Sequence, residues 1–420
     1  MAFVYDLLVL LVELFLKFIG LFNQKISLFI KGREQTFDIL RQHISNSDKT
    51  IWIHCASLGE YEQGLPIIQS LKNHLPSHKI IVSFFSPSGY ELKKNSTDAY
   101  VYLYLPLDTQ HRVKTFLDLA RPEFVIFVKY EFWPNYLKVL KEKNIKTYLV
   151  SALFRENQAF FKWYGLPMRK LLHTFEHIFV QNQKSKDLLE KINFTKVTVA
   201  GDTRYDRVYE ILQRDNTLDF IRDFKGNSFC VVFGSSWDDD EELFLNYINN
   251  NLLPMKFIIA PHNINNPEKI YFYKQKISKK IIFFSEKENK NLSDYEVFII
   301  DTIGILTKIY AYADVAYVGG GMRTGLHNIL EPAVFGTPII IGKNFSKSLE
   351  AQELILEKGA FSVKNQTEFE QSLDLLYYKN LLHAQISANN QEFVLKRKGA
   401  TSTIINFILS QKDSLFINEK

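Results

Sequence analysis

The chain has 420 residues, of which 46% are hydrophobic and 23% are charged. This length exceeds the size at which one hydrophobic core keeps growing, so two domains of roughly 200 residues each are expected. Two cysteines without CxxC or histidine spacing exclude a disulfide framework and a cysteine zinc site, and they favour a reducing, cytoplasmic setting.

Charge differs between the two halves of the chain. Residues 1–200 contain 26 Lys and Arg against 18 Asp and Glu, whereas residues 201–420 contain 25 against 28. The basic first half predicts an acidic partner such as a phosphorylated lipid or an anionic membrane surface. Nucleic acid is not expected as a partner, because the sequence has no DNA- or RNA-binding motif.

The N-terminal segment, residues 3–22, is apolar and about as long as a membrane span, but Asp6, Glu13 and Lys17 interrupt it. These charges are spaced seven and four residues apart, near one face of a helix, so the segment is expected to lie in or dip into a bilayer surface. Basic residues follow up to Arg33, as expected of a segment that rests on anionic cytoplasmic headgroups. The alternative is an apolar helix packed on the protein's own core.

Strand and helix patterns then alternate along the chain. Strands are predicted in the first half at Thr50 to His54, Lys79 to Phe85, Tyr102 to Leu105, Phe124 to Lys129 and Lys146 to Val150. Those of the second half are predicted at Phe229 to Gly234, Lys256 to Ala260, Lys280 to Phe284, Val297 to Ile300, Val315 to Val318 and Pro338 to Ile341. The alternation predicts an α/β protein with two doubly wound domains, each a parallel sheet covered by helices on both faces.

The predicted domain boundaries follow from this pattern. Residues 1–33 form the membrane-anchoring helix and its basic flank, residues 34–200 the N-terminal domain and residues 201–420 the C-terminal domain. The crossing between the two domains is expected between Asn193 and Asn227.

Ligands of such sheets bind beyond the carboxyl ends of the strands, where two carboxylates are found. After the first strand, Ser57 to Gly59 predict a turn and Glu60 begins a helix. Glu60 is a candidate general base, although a glutamate at a helix start also interacts favourably with the helix dipole. Glu131 follows a later strand beside Phe132 and Trp133, either as a second functional carboxylate or as a capping residue.

Residues 314–342 predict a nucleotide-binding segment. A strand runs into Gly319 to Gly321, and His327 and Asn328 are expected to open a helix that carries Glu331. Glycines let the backbone approach a phosphate, and a helix N-terminus favours the anion. Glu331 can accept hydrogen bonds from the two hydroxyls of a ribose. The alternative is a glycine-rich strand-to-helix turn of any α/β protein.

Three consecutive acids, Asp238 to Asp240, are similar to a metal-binding cluster. They directly follow Trp237 and start a predicted helix, so we interpret them as first-turn acids favoured by the helix dipole. No metal site and no other cofactor are predicted.

Six ordered segments resemble the 3-deoxy-D-manno-octulosonic acid (Kdo) transferases of lipopolysaccharide synthesis. They are IWIHCASLGE (51–60), EFWPN (131–135), GDTRYD (201–206), GSSWDDDEE (234–242), DTIGILTKIYAYADVAYVGGG (301–321) and HNILEPAVFGTPIIIG (327–342). The resemblance implies a GT-B fold, with two Rossmann-like domains facing a central cleft and an N-terminal membrane-associated helix. It also implies inverting transfer of Kdo from CMP-Kdo to a phosphorylated lipid A precursor of the lipid IVA type, at the cytoplasmic side of the cell inner membrane.

The resemblance also implies roles in the acceptor half. Glu60 matches the family's catalytic base, and Glu131 matches a glutamate that helps to position the acceptor or the base. Lys129 stands where the family has a further glutamate, which removes that carboxylate. Arg155 and Lys162, with Arg169 nearby, are candidates for acceptor phosphates, the alternative being a solvated basic face.

In the donor half, His327, Asn328 and Glu331 match the family's nucleotide-binding pattern, with Gly320 and Gly321 near the phosphate. Two further positions depart from the family. His262 lies in a segment where the family has an arginine. Either His262 takes the role of that arginine or the role is absent from this chain. Arg204 stands in place of a frequent lysine, either as a donor contact or as a surface arginine.

Two rival functions stay open on the sequence. One is another GT-B enzyme, such as a UDP-sugar transferase or a UDP-sugar epimerase. The other is a non-catalytic, membrane-bound module that binds a nucleotide, against which the presence of Glu60 argues.

Overall fold

The structure, a computed structural model, describes residues 2–264, 267–323 and 325–417. The chain divides into two compact units. The first unit comprises Met1–Arg207 with Lys398–Lys420, and the second comprises Val208–Arg397. Each unit is built on one seven-stranded sheet.

The sheet of the first unit has the order β3-β2-β1-β4-β5-β6-β7, and its neighbouring strands are parallel. Its strands are β1 (Lys49–Cys55), β2 (His78–Phe84), β3 (Val101–Tyr104), β4 (Pro122–Val128), β5 (Lys146–Ala152), β6 (His177–Val180) and β7 (Val197–Val199). The chain order reverses between β1 and β4, which is the topological switch point where ligands bind in such sheets.

The sheet of the second unit is also parallel, in the order β10-β11-β9-β8-β12-β13-β14. Its strands are β8 (Phe229–Ser236), β9 (Met255–Pro261), β10 (Ile281–Phe283), β11 (Val297–Ile299), β12 (Val315–Val318), β13 (Ile339–Gly342) and β14 (Ala360–Val363). Here the order reverses between β8 and β12.

Helices connect the strands and cover the sheets. Those of the first half are α1 (Ala2–Gly20), α2 (Gln24–Glu34), α3 (Thr36–His43), α4 (Leu58–His74), α5 (Pro87–Lys93), α6 (Gln110–Ala120), α7 (Pro134–Glu142), α8 (Leu166–Leu172), α9 (Gln183–Glu190) and α10 (Thr203–Tyr209). Those of the second half are α11 (Asp219–Lys225), α12 (Asp238–Asn250), α13 (Pro267–Lys276), α14 (Leu306–Ile309), α15 (Leu330–Ala333), α16 (Leu349–Leu356), α17 (Gln366–Tyr378), α18 (Asn380–Arg397) and α19 (Ala400–Ile417).

Each sheet separates two hydrophobic cores, because successive side chains of a strand point to opposite faces. In β1, Ile51 and Ile53 enter one core while Trp52 enters the other. In β8, Phe233 and Val232 divide in the same way. Burial on both faces explains why these strands read as continuous apolar runs. The predicted fold class of two doubly wound parallel domains is confirmed.

The last helix returns to the first unit. Ile404, Ile405 and Ile408 of α19 pack in the same core as Ile51. Asp206 fixes the start of this segment by accepting a hydrogen bond of 2.7 Å from the amide of Thr401. The predicted C-terminal domain includes all of residues 201–420, whereas in the structure α19 belongs to the first unit and packs its isoleucines in the core of that unit.

Helix α1 turns its charged side chains toward the first unit. Asn135 donates to Asp6 across 2.8 Å, and Arg112 donates to both carboxylate oxygens of Glu13 at 2.7 and 3.2 Å. The Tyr5 hydroxyl donates to Asp108 across 3.0 Å. The charges that interrupt the apolar segment therefore hold the helix on the protein.

The opposite side of this helix is apolar and exposed. Its large apolar side chains with at least 42% exposure are Val4, Leu7, Leu8, Leu10, Leu11, Val12, Leu14, Phe15 and Phe18, and Leu21 and Phe22 directly after the helix are also exposed. This arrangement differs from that of an apolar helix buried in the protein's own core. Within the described part of the chain, no helix combines the length and the apolar character needed to cross a membrane.

Candidate active site

Glu60 lies in the first turn of α4, directly beyond the carboxyl end of β1. Ser57, the residue at the N-cap of this helix, donates its hydroxyl hydrogen to the Glu60 carboxylate. The spacing of serine and glutamate is that of a capping box, but Ser57 makes no side-chain capping bond to the backbone, and its bond to Glu60 orients the carboxylate. The side chain remains 18% exposed, and the carboxylate is therefore both oriented and reachable.

Lys129 faces Glu60 from the end of the neighbouring strand β4. Its ammonium lies 3.9 Å from a Glu60 oxygen. The Lys129 backbone is left-handed, with φ at +74°, which is uncommon for a residue other than glycine. Where the resemblance leads one to expect a second carboxylate, the site holds a cation opposite the candidate base.

Glu131 is held by two donors from the protein. Its Oε2 accepts hydrogen bonds from Trp133 Nε1 at 2.6 Å and from His54 Nε2 at 3.1 Å. His54 is fully buried, and its Nδ1 lies 2.8 Å from the Ser83 hydroxyl, which accepts from Trp52 across 2.7 Å. Nδ1 also lies 3.1 Å from the carbonyl oxygen of Ser83. An ionised carboxylate only accepts, so the proton of the bond to Glu131 is on His54 Nε2.

Arg204 lies in the first unit and is engaged by its neighbour. Its guanidinium Nη2 donates to the buried carboxylate of Asp202 across 2.7 Å. Burial works to raise the pKa of Asp202, but Arg204 and a hydrogen bond from Gln63 outweigh it and keep that pKa below its usual value. Arg204 thus neutralises a buried charge. It does not lie in the second unit, which contains the other residues predicted to bind the donor.

The predicted acceptor cations differ in their surroundings. Arg155 follows β5 and is exposed, and its charge acts on the hydroxyl of Tyr130. Lys162 ends a turn of 3-10 helix, and its carbonyl accepts from Arg169 across 2.8 Å. In the described residues, no hydrogen bond or ion pair joins the Lys162 ammonium to the group around Glu60. The structure therefore brings Arg155, but not Lys162, to that group.

In the second unit, a buried carboxylate braces the glycine loop that follows β12. Asp240 accepts from the Gly320 amide at 2.7 Å, from the Tyr317 hydroxyl at 2.8 Å and from the Trp237 amide at 3.0 Å. The sequence predicts that the Gly320 backbone approaches a phosphate, but in the structure its N–H donates to Asp240. Asp240 lies in the first turn of α12, as predicted, and has this bracing role in addition.

The glycines of this loop are required by close packing. Gly320 has φ at +87°, and a Cβ there would lie 2.1 Å from the carbonyl oxygen of Gly325. A Cβ on Gly321 would lie 2.7 Å from the amide of Gly342 in β13. The loop folds back on itself, so that the His327 amide donates to the Gly319 carbonyl at 3.1 Å.

The helix expected from His327 is shorter than predicted. Helix α15 spans the single turn Leu330–Ala333, and His327 and Asn328 precede it in a loop. The Asn328 carboxamide oxygen accepts from the Leu330 amide at 3.1 Å, a local bond that competes with helix formation. The predicted helix start at His327 is therefore wrong, since the helix begins at Leu330, and phosphate binding beside this turn stays a prediction.

Glu331 projects from this turn with both oxygens occupied. Thr307 donates its hydroxyl hydrogen to one oxygen at 3.0 Å, and Asn328 donates from its amide to the other at 3.1 Å. These neutral donors can be exchanged for the hydroxyls of a ligand. Thr307 carried no sequence signal, because it lies in a separate short helix, α14.

Three aromatic rings form a stack beside the glycine loop. The ring centroids of Trp237 and His262 are 4.3 Å apart, and those of His262 and His327 are 4.7 Å apart. Trp237 Nε1 donates to His327 Nε2 across 3.0 Å, so the neutral imidazole of His327 carries its proton on Nδ1. Burial lowers the pKa of both histidines, and the proximity of His262 lowers the pKa of His327 further.

The three consecutive acids have separate partners. Asp238 pairs with Lys269, Asp239 lies 3.7 Å from Arg323, and Asp240 braces the glycine loop. Within the described ranges, no group of three or more His, Cys, Asp or Glu side chains is arranged to hold a metal ion.

Comparison with known proteins identifies relatives of this chain. Residues 31–207 match the protein family described as 3-deoxy-D-manno-octulosonic-acid transferase (kdotransferase). The 3-deoxy-D-manno-octulosonic acid transferase of Aquifex aeolicus is 29% identical over 335 residues, which cover 78% of this chain and 86% of that protein. The enzyme of the same name from Haemophilus influenzae is 23% identical over 419 residues, 97% of either chain.

Solved structures are similar in fold. The crystal structure of UDP-GlcNAc 2-epimerase from Neisseria meningitidis, bound to UDP-GlcNAc, superposes with a TM-score of 0.61 at 14% identity. The match covers 86% of this chain and 100% of that one. At this identity the likeness shows the fold alone, that of two Rossmann-like domains of the GT-B class.

Proposed function

We propose that this chain, a glycosyltransferase of the Kdo transferase family, transfers Kdo from CMP-Kdo to a phosphorylated lipid A precursor. The observation that carries the proposal is the Glu60 carboxylate, oriented by Ser57 at the switch point of the first sheet and still reachable by substrate. Family membership supplies the substrate class, and the site supplies the base that the reaction needs.

In the proposed reaction, Glu60 takes the proton of an acceptor hydroxyl. The hydroxyl oxygen forms a bond to the anomeric carbon of Kdo as the bond from that carbon to CMP breaks, so the configuration inverts. Glu131 orients the acceptor or Glu60, because its own position is fixed by His54 and Trp133.

The second unit is proposed to bind CMP-Kdo. The stack of Trp237, His262 and His327 presents flat rings of the kind on which a base packs. Glu331 would exchange Thr307 and Asn328 for the ribose hydroxyls. The proposal includes no metal and no other cofactor, so transfer is expected to persist in a chelator such as EDTA.

We further propose that the protein works at the cytoplasmic side of the inner membrane. Helix α1 is held on the first unit by Asp6 and Glu13, and its exposed apolar side chains would enter the bilayer. The basic first half of the chain would meet anionic headgroups and the phosphates of the acceptor.

The donor distinguishes this function from its main rival. The epimerase of similar fold was crystallised with UDP-GlcNAc, so a UDP-sugar enzyme is the alternative to test. The full chain would be incubated with radiolabelled CMP-Kdo or with UDP-sugars and lipid acceptor. Label transfer from CMP-Kdo alone supports the proposal, whereas turnover of a UDP-sugar without transfer from CMP-Kdo contradicts it.

A further inference from the structure

The hydroxyl of Tyr130 is buried in the first unit, and within the described residues it has no hydrogen-bond partner. Tyr130 lies between Lys129 and Glu131, immediately beyond the carboxyl end of β4. An unpaired buried hydroxyl costs free energy that a protein usually avoids. Such an atom at a strand end that already holds the candidate base indicates that its partner comes from a ligand.

Two positive and two negative side chains act on this hydroxyl. Burial raises the pKa of Tyr130, the guanidiniums of Arg155 and Arg204 oppose that rise, and the carboxylates of Asp202 and Glu60 add to it. Four charged side chains therefore act on one phenol.

The cations near Tyr130 differ in their ion-pair partners. Arg204 is neutralised by Asp202 at 2.7 Å. Arg155 has no ion-pair partner in the part of the chain that the structure describes. Lys129 lies 5.5 Å from the centroid of the Tyr130 ring, and its pair with Glu60 is long, at 3.9 Å. Arg155 thus acts on the unpaired hydroxyl without an ion-pair partner among the described residues, and Lys129 lies beside the Tyr130 ring with Glu60 as a counter-charge at 3.9 Å.

We infer that Tyr130, Lys129 and Arg155 form a subsite for an anionic oxygen group of a substrate, beside the base Glu60. The neutral phenol donates its hydrogen to the anion, and the two cations balance the charge. The group is a phosphate or a carboxylate, carried by the acceptor or by the sugar of the donor. This inference rests on the proposed function, since it deepens the same site.

Tyr130→Phe tests the inference because it removes the hydroxyl and little else. Loss of a hydrogen bond to a charged group is expected to weaken binding of the anionic substrate roughly 10- to 100-fold. The melting temperature should stay the same or rise, because an unpaired buried hydroxyl is removed. Tyr378→Phe is the matched control, since that side chain is 63% exposed in the second unit.

Binding measured by calorimetry on the full chain in detergent identifies the source of the anion. The ligands are the phosphorylated acceptor, its dephosphorylated form, CMP-Kdo and CMP. A loss confined to the phosphorylated acceptor assigns the subsite to the acceptor phosphate. A loss for CMP-Kdo but not for CMP assigns it to the donor carboxylate.

Other results overturn the inference. Binding of all four ligands within twofold of wild type removes Tyr130 from substrate recognition. A lower melting temperature in Tyr130→Phe means that the hydroxyl has a structural partner. These readouts do not depend on turnover, so absence of transfer in the wild-type chain would contradict the proposed function while the binding data still decide on the subsite.

Discussion

His54 donates a hydrogen bond of 3.1 Å from Nε2 to the carboxylate of Glu131, and the histidine is fully buried. The bond links the interior of the first sheet to its carboxyl edge. Because Trp133 donates to the same oxygen, the Glu131 carboxylate is fixed before any substrate arrives. Preorganisation of this kind is what a positioning residue needs.

We therefore expect Glu131→Gln to lower kcat roughly 10-fold or more, while the amide oxygen still accepts from both donors and keeps the fold. Glu123→Gln is a matched control, because Glu123 lies at the opposite end of β4 and also pairs with a histidine, His78, at 2.8 Å. Initial rates of Kdo transfer and a melting curve for both variants check this. Equal rates in the two variants would remove Glu131 from the site.

Glu60→Gln is expected to abolish transfer and to leave CMP binding within a few-fold of wild type. An amide keeps the shape of the side chain but cannot take a proton, and loss of a general base costs on the order of 10² to 10⁴ in rate. Glu62→Gln, two residues along the same helix, removes the ion pairs with Lys93 and Arg207 and should retain activity. Wild-type turnover in purified Glu60→Gln is the contrary outcome.

Glu331→Ala is expected to weaken CMP binding by roughly 1.5–3 kcal/mol, the usual range for hydrogen bonds to a charged group. The melting temperature should change little, since Thr307 and Asn328 can turn to water. If Glu331 serves only its own helix turn, the pattern reverses, with CMP affinity intact and a stability loss of roughly 0.3–1 kcal/mol. Calorimetric titration of CMP and a melting curve on one sample decide between the two.

The stability of the second unit should depend on pH through His327. Burial and the neighbouring His262 lower the pKa of His327 from the ordinary 6.5, so the unfolded chain takes up the proton first as the pH falls. This contribution to stability is fully present above about pH 6.5, the ordinary pKa of histidine, and is lost as the pH falls below that value. His327→Gln should reduce the fall in unfolding free energy between about pH 7 and 5. An identical pH dependence in both proteins would count against a lowered pKa of His327.

Helix α1 gives a prediction about membrane binding. Leu8→Gln combined with Phe15→Gln replaces two side chains that are 56% and 64% exposed. Each apolar side chain contributes about 1.5–3 kcal/mol when buried, so affinity for anionic vesicles should fall at least roughly 10-fold while the fold persists. Leu252→Gln, at 97% exposure in the second unit, is the control. Equal co-sedimentation of the two variants with vesicles would contradict membrane contact by α1.

Much of the fold could be predicted from the sequence, because parallel strands buried on both faces give unmistakable apolar runs. The runs at Thr50 to His54 and Val315 to Val318 both correspond to observed strands. The position of α19 could not be predicted. Its isoleucine stripe indicates a buried helix face, but it does not indicate which of the two sheets that face covers. The short length of α15 could not be predicted either, because it depends on contacts of the loop that precedes it. Asn328 bonds locally to Leu330, and glycines fold the preceding loop back.

The sequence predicts those site residues that belong to a local motif with a known chemical role. Glu60 lies in the first helical turn after β1, and Glu331 lies in the short helix after the glycine loop, as predicted for both. Residues that act through long-range contacts were missed. Asp240 is 80 residues from the Gly320 amide it binds, and Thr307 is 24 residues from Glu331. Tyr130 emerged only from its unpaired hydroxyl, which no sequence pattern reveals.

The most direct test of the central claim is a mass spectrum of a phosphorylated lipid A precursor after incubation with CMP-Kdo and the full chain. We predict a product heavier than the precursor by whole Kdo residues with the wild-type chain, and unchanged precursor with Glu60→Gln. Unchanged precursor with folded wild-type protein, or the same product with Glu60→Gln, would contradict the account.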